Sequence, residues 1–399
     1  MVRAHGRLDS NGNGLVELRD YDQQGRLVRK ELMDNAGFAV DERTWTYDPA
    51  GNVIERTSSS STENFAYDAL DRLVGQDAIG GNEASWSYAY GPNHNRQARS
   101  NADQRNELYS YRQGSNRLST IDRFVAQLET DSPASVQFDY NQAGRLSEYS
   151  ENGEVKARYT YNTFGLRTRK ETDAGTTVFH YDTGITLLGE SDEAGNTTRD
   201  YIWLNGSPVA MVDAAGGIAY IHTDHLLTPR LATDGQGAIV WTWEGEAFGD
   251  AGPTGSLTLN LRFPGQYFDA ESGLHYNVMR DYNPALGRYM QSDPIGLAGG
   301  LATYSYALGN VNRYFDAFGL KEQSLFDVEI SLGLQLGASG RAGPASFSGG
   351  LDLGSFRMRT GQADTEITQG ADLSFGLSQF EFGGRVGRSG SQSRLIEGG

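Results

Sequence analysis

Trp45-Thr46-Tyr47-Asp48-Pro49-Ala50-Gly51-Asn52-Val53 is the stretch that decides the fold. Trp45 and Tyr47 lie two residues apart, the spacing that puts side chains on one face of a β-strand. Asp48 opens a turn, and Gly51 supplies a residue able to take a positive φ. Val53 starts the returning strand. The unit is a hairpin written Tyr-Asp-x-x-Gly-Arg/Asn-Leu/Val. It recurs at Tyr21-Asp22…Gly25-Arg26-Leu27 and at Tyr140-Asn141…Gly144-Arg145-Leu146. Tyr67-Asp68…Asp71-Arg72-Leu73 departs, with Asp in the glycine place.

The tyrosines Tyr47, Tyr67, Tyr88, Tyr111, Tyr140, Tyr161, Tyr181 and Tyr201 follow one another mostly at 20 or 21 residues. One hairpin cannot bury its own aromatic face, so the units must stack. That period alone fits a solenoid, a propeller or a wound sheet. Composition agrees with an all-β chain: 51 glycines, 21 tyrosines and only 10 prolines in 399 residues. From about Gly184 the pattern changes. A soft boundary falls near Gly252 to Gly255, and a sharper one after Leu320, where tyrosine, tryptophan and histidine vanish.

The net charge of −17 offers nothing to a phosphate backbone, so nucleic-acid binding by the shell is not expected. The absence of cysteine excludes disulfides, thiolate metal sites and cysteine nucleophiles. No apolar h-region follows Met1, and no run of eighteen apolar residues occurs. Export would therefore use a dedicated machine. No cofactor is expected.

The densest motif runs from Arg262-Phe-Pro-Gly-Gln-Tyr-Phe-Asp269 through Arg280-Asp281-Tyr282-Asn283-Pro284 and Ser-Asp293-Pro294-Ile-Gly-Leu297 to Phe-Asp316-Ala-Phe-Gly-Leu320. It resembles the core that ends the repeat array of Rhs proteins, the YD-repeat shells of bacterial polymorphic toxins. The resemblance selects the wound sheet among the three architectures, a β-ribbon spiralling into part of a hollow shell. It divides the chain into a repeat shell over 1–255, a self-cleaving core over 256–320 and a variable cargo over 321–399. It implies an aspartyl protease that cuts between Leu320 and Lys321, with Arg280 orienting and Asp293 and Asp316 as the acid/base pair. The chemistry fits: two close carboxylates push one pKa up, and an arginine holds the other ionised. Each residue alone has a plainer reading, since Asp-Pro is a common turn starter and an arginine commonly pairs a carboxylate. The chain departs from the family's cut-site motif at Val311 and Ala317, where prolines are usual.

The resemblance further implies secretion, an enclosed tail, a secretion-machine component and a cognate immunity protein. Two other functions fit the same residues: a non-enzymatic YD-repeat adhesion protein with carbohydrate or cell-surface contacts, and an orphan fragment of a longer shell.

Three smaller features read as structure. His222-Thr-Asp224-His225 alternates in the wrong sense for chelation. Asp9 to Asp20 lacks the terminal glutamate of a calcium loop. The glycine-rich tail has no phosphate-loop lysine. Between Lys321 and Gly399 the chain alternates apolar residues, as in Leu332-x-Leu334-x-Leu336 and Leu373-x-Phe375-x-Leu377. That pattern fits a packed β-meander or membrane-entering hairpins, and its lack of histidine disfavours a nuclease.

Overall fold

The computed structural model describes residues 13–80, 84–101, 106–124 and 135–323, and the backbone of five strands between Gln335 and Leu377. Two compact units are present, Met1–Gln323 and Ser324–Gly399. In the second unit Gln335–Ala342, Ala345–Asp352 and Asp372–Leu377 form a three-stranded sheet, and Ser355–Phe356 pairs with Ile367–Thr368. The tail's side chains, on which its packed or membrane-seeking readings turn, lie outside the described residues. So does the Asp9–Gly12 part of the calcium-like segment.

The first unit is β throughout, apart from two single 3-10 turns among the described residues, Gly296–Gly299 and Ala307–Gly309. Ten strands from Val16–Tyr21 to Leu118–Phe124 pair strictly in chain order, and twelve from Val136–Tyr140 to Thr254–Gly255 do the same. The change of sequence pattern near Gly184 is not a change of fold. Hairpins continue through turns at Asp192, Asp213, Asp224 and Asp234 built like those before them. A four-stranded sheet follows: Tyr267–Asp269, Leu274–Asn277, Arg280–Asn283 and Arg288–Tyr289.

The repeat turn has one construction. Asp48 N–H donates to Asn52 O at 2.9 Å and Gly51 N–H to Asp48 O at 3.1 Å. Asp48 Oδ1 accepts from Asn52 N–H at 2.8 Å. The register slips at Thr46/Tyr47, Ala66/Tyr67 and Thr160/Tyr161, the mark of a bulge closed by a left-handed residue. Gly51 fills that place at φ +93°, whereas Ile185 fills it at φ +65°. A β-branched side chain is costly there. Ile185→Gly should therefore raise stability by about 1 kcal/mol, read as a higher denaturant midpoint at unchanged slope.

Two aromatic rows follow from the alternation. Trp45, Phe65, Tyr88, Tyr109, Tyr159, Phe179 and Tyr201 are buried. The residue two places later sits beside the turn and donates to a carbonyl of the preceding strand: Tyr47 to Leu27, Tyr67 to Val53, Tyr161 to Leu146 and Tyr181 to Arg167, at 2.7 to 2.9 Å. Trp203 Nε1 makes the same bond to Leu187 O at 2.8 Å. This corrects the tyrosine series: Tyr88 and Tyr201 belong to the inner row, and Tyr90 and Trp203 hold the turn-side places. The repeat arginine stacks on the following turn-side ring, Arg26 on Tyr47 at 4.6 Å and Arg72 on Tyr90 at 4.9 Å. Such stacking contributes about 0.5–1 kcal/mol.

The early strands close on the segment between Thr223 and Asp250 through buried charge. Lys30 Nζ donates to Thr223 O at 2.6 Å, Arg43 pairs with Glu244 at 2.5 Å, and Arg99 pairs with Asp250 at 2.7 Å. Gln76 Nε2 donates to Gly245 O at 3.0 Å, and Gln76 Oε1 accepts from Ala247 N–H at 2.9 Å. The Tyr88 hydroxyl donates to Glu246. Buried polar groups keep their partners because an unpaired one is expensive.

Candidate active site

The four-stranded sheet carries the site. Its anchor is Tyr282, fully buried, whose ring meets Tyr306 at 4.6 Å and whose hydroxyl donates to Phe248 O at 2.7 Å. Arg167, from the repeats, forks onto Asp269 with Nη1–Oδ2 at 2.5 Å and Nη2–Oδ1 at 3.1 Å. Downstream, Asn310 Nδ2 donates to Asn52 Oδ1 and to Asp71 O, both at 2.8 Å. Asp71 Oδ1 also accepts from Asn52 Nδ2 at 2.9 Å. Asp71, the departure from glycine at φ +58°, thus ties a repeat turn to the core. His225 donates to Asn312 O at 2.8 Å and is buried, which gives it a structural partner.

The three residues singled out by spacing converge. Arg280 begins its strand, and its Nη2 lies 3.1 Å from Asp293 Oδ2 and 3.0 Å from Asp316 Oδ2. One guanidinium nitrogen thus bridges two carboxyl groups, all three residues being buried. Asp293 heads a turn in which Oδ1 accepts from Ile295 N–H at 3.0 Å, and its own N–H is held by Thr303 O at 2.7 Å. Asp316 opens a loop closed by reciprocal Phe315–Gln323 backbone bonds of 2.9 and 2.6 Å. That loop wraps its own acid: Oδ1 accepts from the N–H groups of Phe318, Leu320 and Lys321 at 3.3, 3.0 and 3.3 Å. Arg280 Nε donates to Gly319 O at 2.7 Å. Gly319, at φ +66°, has no room for a side chain, since a Cβ would stand 2.4 Å from Asn277 O.

Sequence reasoning missed Tyr289 and Asn277. The Tyr289 hydroxyl donates to Asp316 Oδ2 at 2.8 Å, and its ring lies 3.6 Å from the Arg280 guanidinium carbon. Asn277 Nδ2 donates to the Tyr289 hydroxyl at 2.7 Å and to Asp316 O at 2.8 Å. Both lie in the dense motif, and only their convergence on Asp316 distinguishes them from core residues.

Burial pushes the Asp293 carboxyl above the ordinary carboxylate range and the Asp316 charge adds to it, against the Ile295 N–H and Arg280. Burial and the same Asp316 charge push the Tyr289 hydroxyl well up, so it stays a donor. Asp281, beside Arg280, is buried and pushed up to about 6, chiefly by burial. Its Oδ2 accepts from Gln291 Nε2 at 2.5 Å, while Oδ1 has no hydrogen-bond partner among the described residues. Its folded pKa exceeds its unfolded one, so its contribution to stability is full below about pH 4 and lost as pH rises through about 6. Between pH 4 and 7.5 the native chain should lose roughly 2 kcal/mol more than Asp281→Asn, read from paired denaturant curves. Equal losses would contradict the assignment.

The fold and this core define a class. The chain belongs to the Teneurin YD-shell family, whose model matches residues 78–299. Within that class it belongs with the Rhs/YD-repeat polymorphic toxins. It is 29% identical to the double-stranded DNA deaminase toxin A of Burkholderia cenocepacia over 74% of this chain and 22% of that protein. It is 26% identical to the toxin protein Tse5 of Pseudomonas aeruginosa over 80% and 30%. A probable deoxyribonuclease, RhsA of Dickeya dadantii, is 26% identical over 78% and 23%. The chain therefore spans less than a third of the length of these relatives. In the Photorhabdus luminescens Tc holotoxin pore, 18% of one chain superposes on 80% of this one with a TM-score of 0.62 at 19% identity, a likeness of fold. This is a toxin-related YD-shell protein.

Proposed function

We propose that this chain is the C-terminal part of an Rhs-type delivery shell that cuts itself between Leu320 and Lys321 and frees residues 321–399 in interbacterial competition. The observation that carries the reading is one guanidinium bridging two buried carboxyl groups, with the Lys321 N–H on one of them. Asp316, paired with Arg280, takes a proton from water as it adds to the Leu320 carbonyl carbon. Asp293, the acid with the raised pKa, donates a hydrogen bond to the carbonyl oxygen as charge develops there. The C–N bond then breaks, and the proton held by Asp316 passes to the Lys321 nitrogen it already faces. The products are a carboxylic acid at Leu320 and an amine at Lys321, which exchange a proton to become carboxylate and ammonium.

Tyr289 and Arg280 keep Asp316 in place, so the loop needs neither of the missing prolines to reach it. The same reading implies a cognate immunity protein and a secretion-machine component as partners, and a secreted or cell-surface location. Intact mass after expression tests it: two species split at Leu320 support the proposal. One uncut species favours a non-enzymatic shell fragment.

A further inference from the structure

We infer that Gly299 is a positioning residue for this cut, its missing side chain keeping the Asp293 carboxyl and the Leu320 carbonyl open to each other. The inference rests on the reading above. Gly299 ends the 3-10 turn that Asp293 precedes, and a Cβ there would stand 2.3 Å from Asp293 Oδ2 and 2.9 Å from Leu320 O. Both distances are inside van der Waals contact, and both atoms belong to the reaction. The two oxygens thus border one point, and that point is where the only substituent of an alanine would go.

A second observation places the approach. A cavity of about 140 Å³ opens at Gly299 and is lined also by His94, Leu301, Ser305, Leu308 and Glu322. It reaches Glu322, one residue beyond Lys321, and so brings solvent near the scissile bond without being lined by Leu320 or Lys321 themselves. The requirement is steric rather than conformational. Gly299 is absent from the positive-φ glycines, so an alanine meets no backbone strain there. Its neighbour Gly300, at φ +117°, is the one whose backbone demands glycine.

The test compares the native chain, Gly299→Ala and Leu297→Ala, a change on the same turn at a residue 72% exposed. Gly299→Ala should slow self-cleavage about 100-fold, the scale expected for a misplaced reacting group. Leu297→Ala should cut at the native rate. The residual cut of Gly299→Ala should persist to higher pH than the native cut, because the methyl further shields the Asp293 carboxyl from water. A merely structural defect would lower the rate without moving that limb.

If Gly299→Ala also loses stability, a double-mutant cycle keeps the inference testable. In an Asp293→Ala background the methyl meets no carboxylate, so the stability cost of Gly299→Ala should largely vanish. Native cleavage with an unimpaired Gly299→Ala would overturn the inference and leave the protease standing, as would an equal stability cost in both backgrounds. An uncut native chain would overturn the protease reading instead, while the stability cycle would still report on the contact.

Discussion

The Asp316→Asn chain should be recovered as one uncut species, in conditions where the native chain is recovered as 1–320 and 321–399. The expected loss is at least about 10³-fold, because the substitution removes the group that both accepts and returns the proton. The shape of the site should survive. An amide oxygen still accepts from the Leu320 N–H at 3.0 Å, and the loop is still closed through Phe315 and Gln323. Asp293→Asn should also block the cut, for a different reason: an amide cannot give up the proton that a neutral carboxyl shares with the carbonyl oxygen. Both variants should still unfold in one cooperative denaturant transition, at a lower midpoint than the native chain because each loses a carboxyl partner of Arg280. Cleavage at the native rate by either would refute an aspartyl mechanism.

The largest effect on stability should come from Arg167→Met. Arg167 is completely buried, forks onto Asp269, and has the rings of Tyr276, Tyr159 and Phe179 within 4.1 to 5.1 Å. Methionine fills much of the volume but strands a buried carboxylate, which keeps only Lys170 at 3.1 Å. Removing one partner of such a pair costs about 3–5 kcal/mol. Removing both is far milder, so Arg167→Met with Asp269→Asn should recover much of the loss. Urea unfolding of the native, single and double variants decides it. A double variant no better than the single would mean that the cost lies in lost packing, not in the orphaned charge.

The hairpin repeat was legible because its turn demands particular residues: an acceptor at Asp48, a left-handed position at Gly51 and apolar alternation on either side. The inner and turn-side rows were harder to separate, because Tyr88 and Tyr90 are the same residue type two places apart on one face. Arg280, Asp293 and Asp316 could be named because rare residue types fall at family-like offsets. Their meeting on one guanidinium nitrogen was not visible, since several chain turns intervene. Arg167 left a signal that went unread. It follows Gly165-Leu166 in the place where Leu27, Val53 and Leu146 point inward, so a charge there requires a buried partner. Asp269, already within the dense motif, is that partner. The closure between Lys30 and Thr223, or Asn310 and Asn52, has no periodicity to betray it, because it joins distant units through single polar atoms.

The strictly sequential strand order also sets a timetable. Each hairpin contacts the one made just before it, so pairing along the ribbon is local and needs no wait. The charges that line the early strands are another matter. Lys30, Arg43 and Arg99 find their long-range partners between residues 223 and 250, some 150 to 200 positions later. During synthesis at about 5–20 residues per second, Lys30 and Arg43 have only their local partners Glu17 and Asp41, and the contacts that bury them against the closing segment wait on the order of ten seconds or more. The nascent ribbon must stay hydrated on the face that will become its interior, so collapse is deferred until the closing segment emerges. A ribosome-bound chain stalled before Thr223 should therefore be paired but open, and sensitive to protease along its whole length.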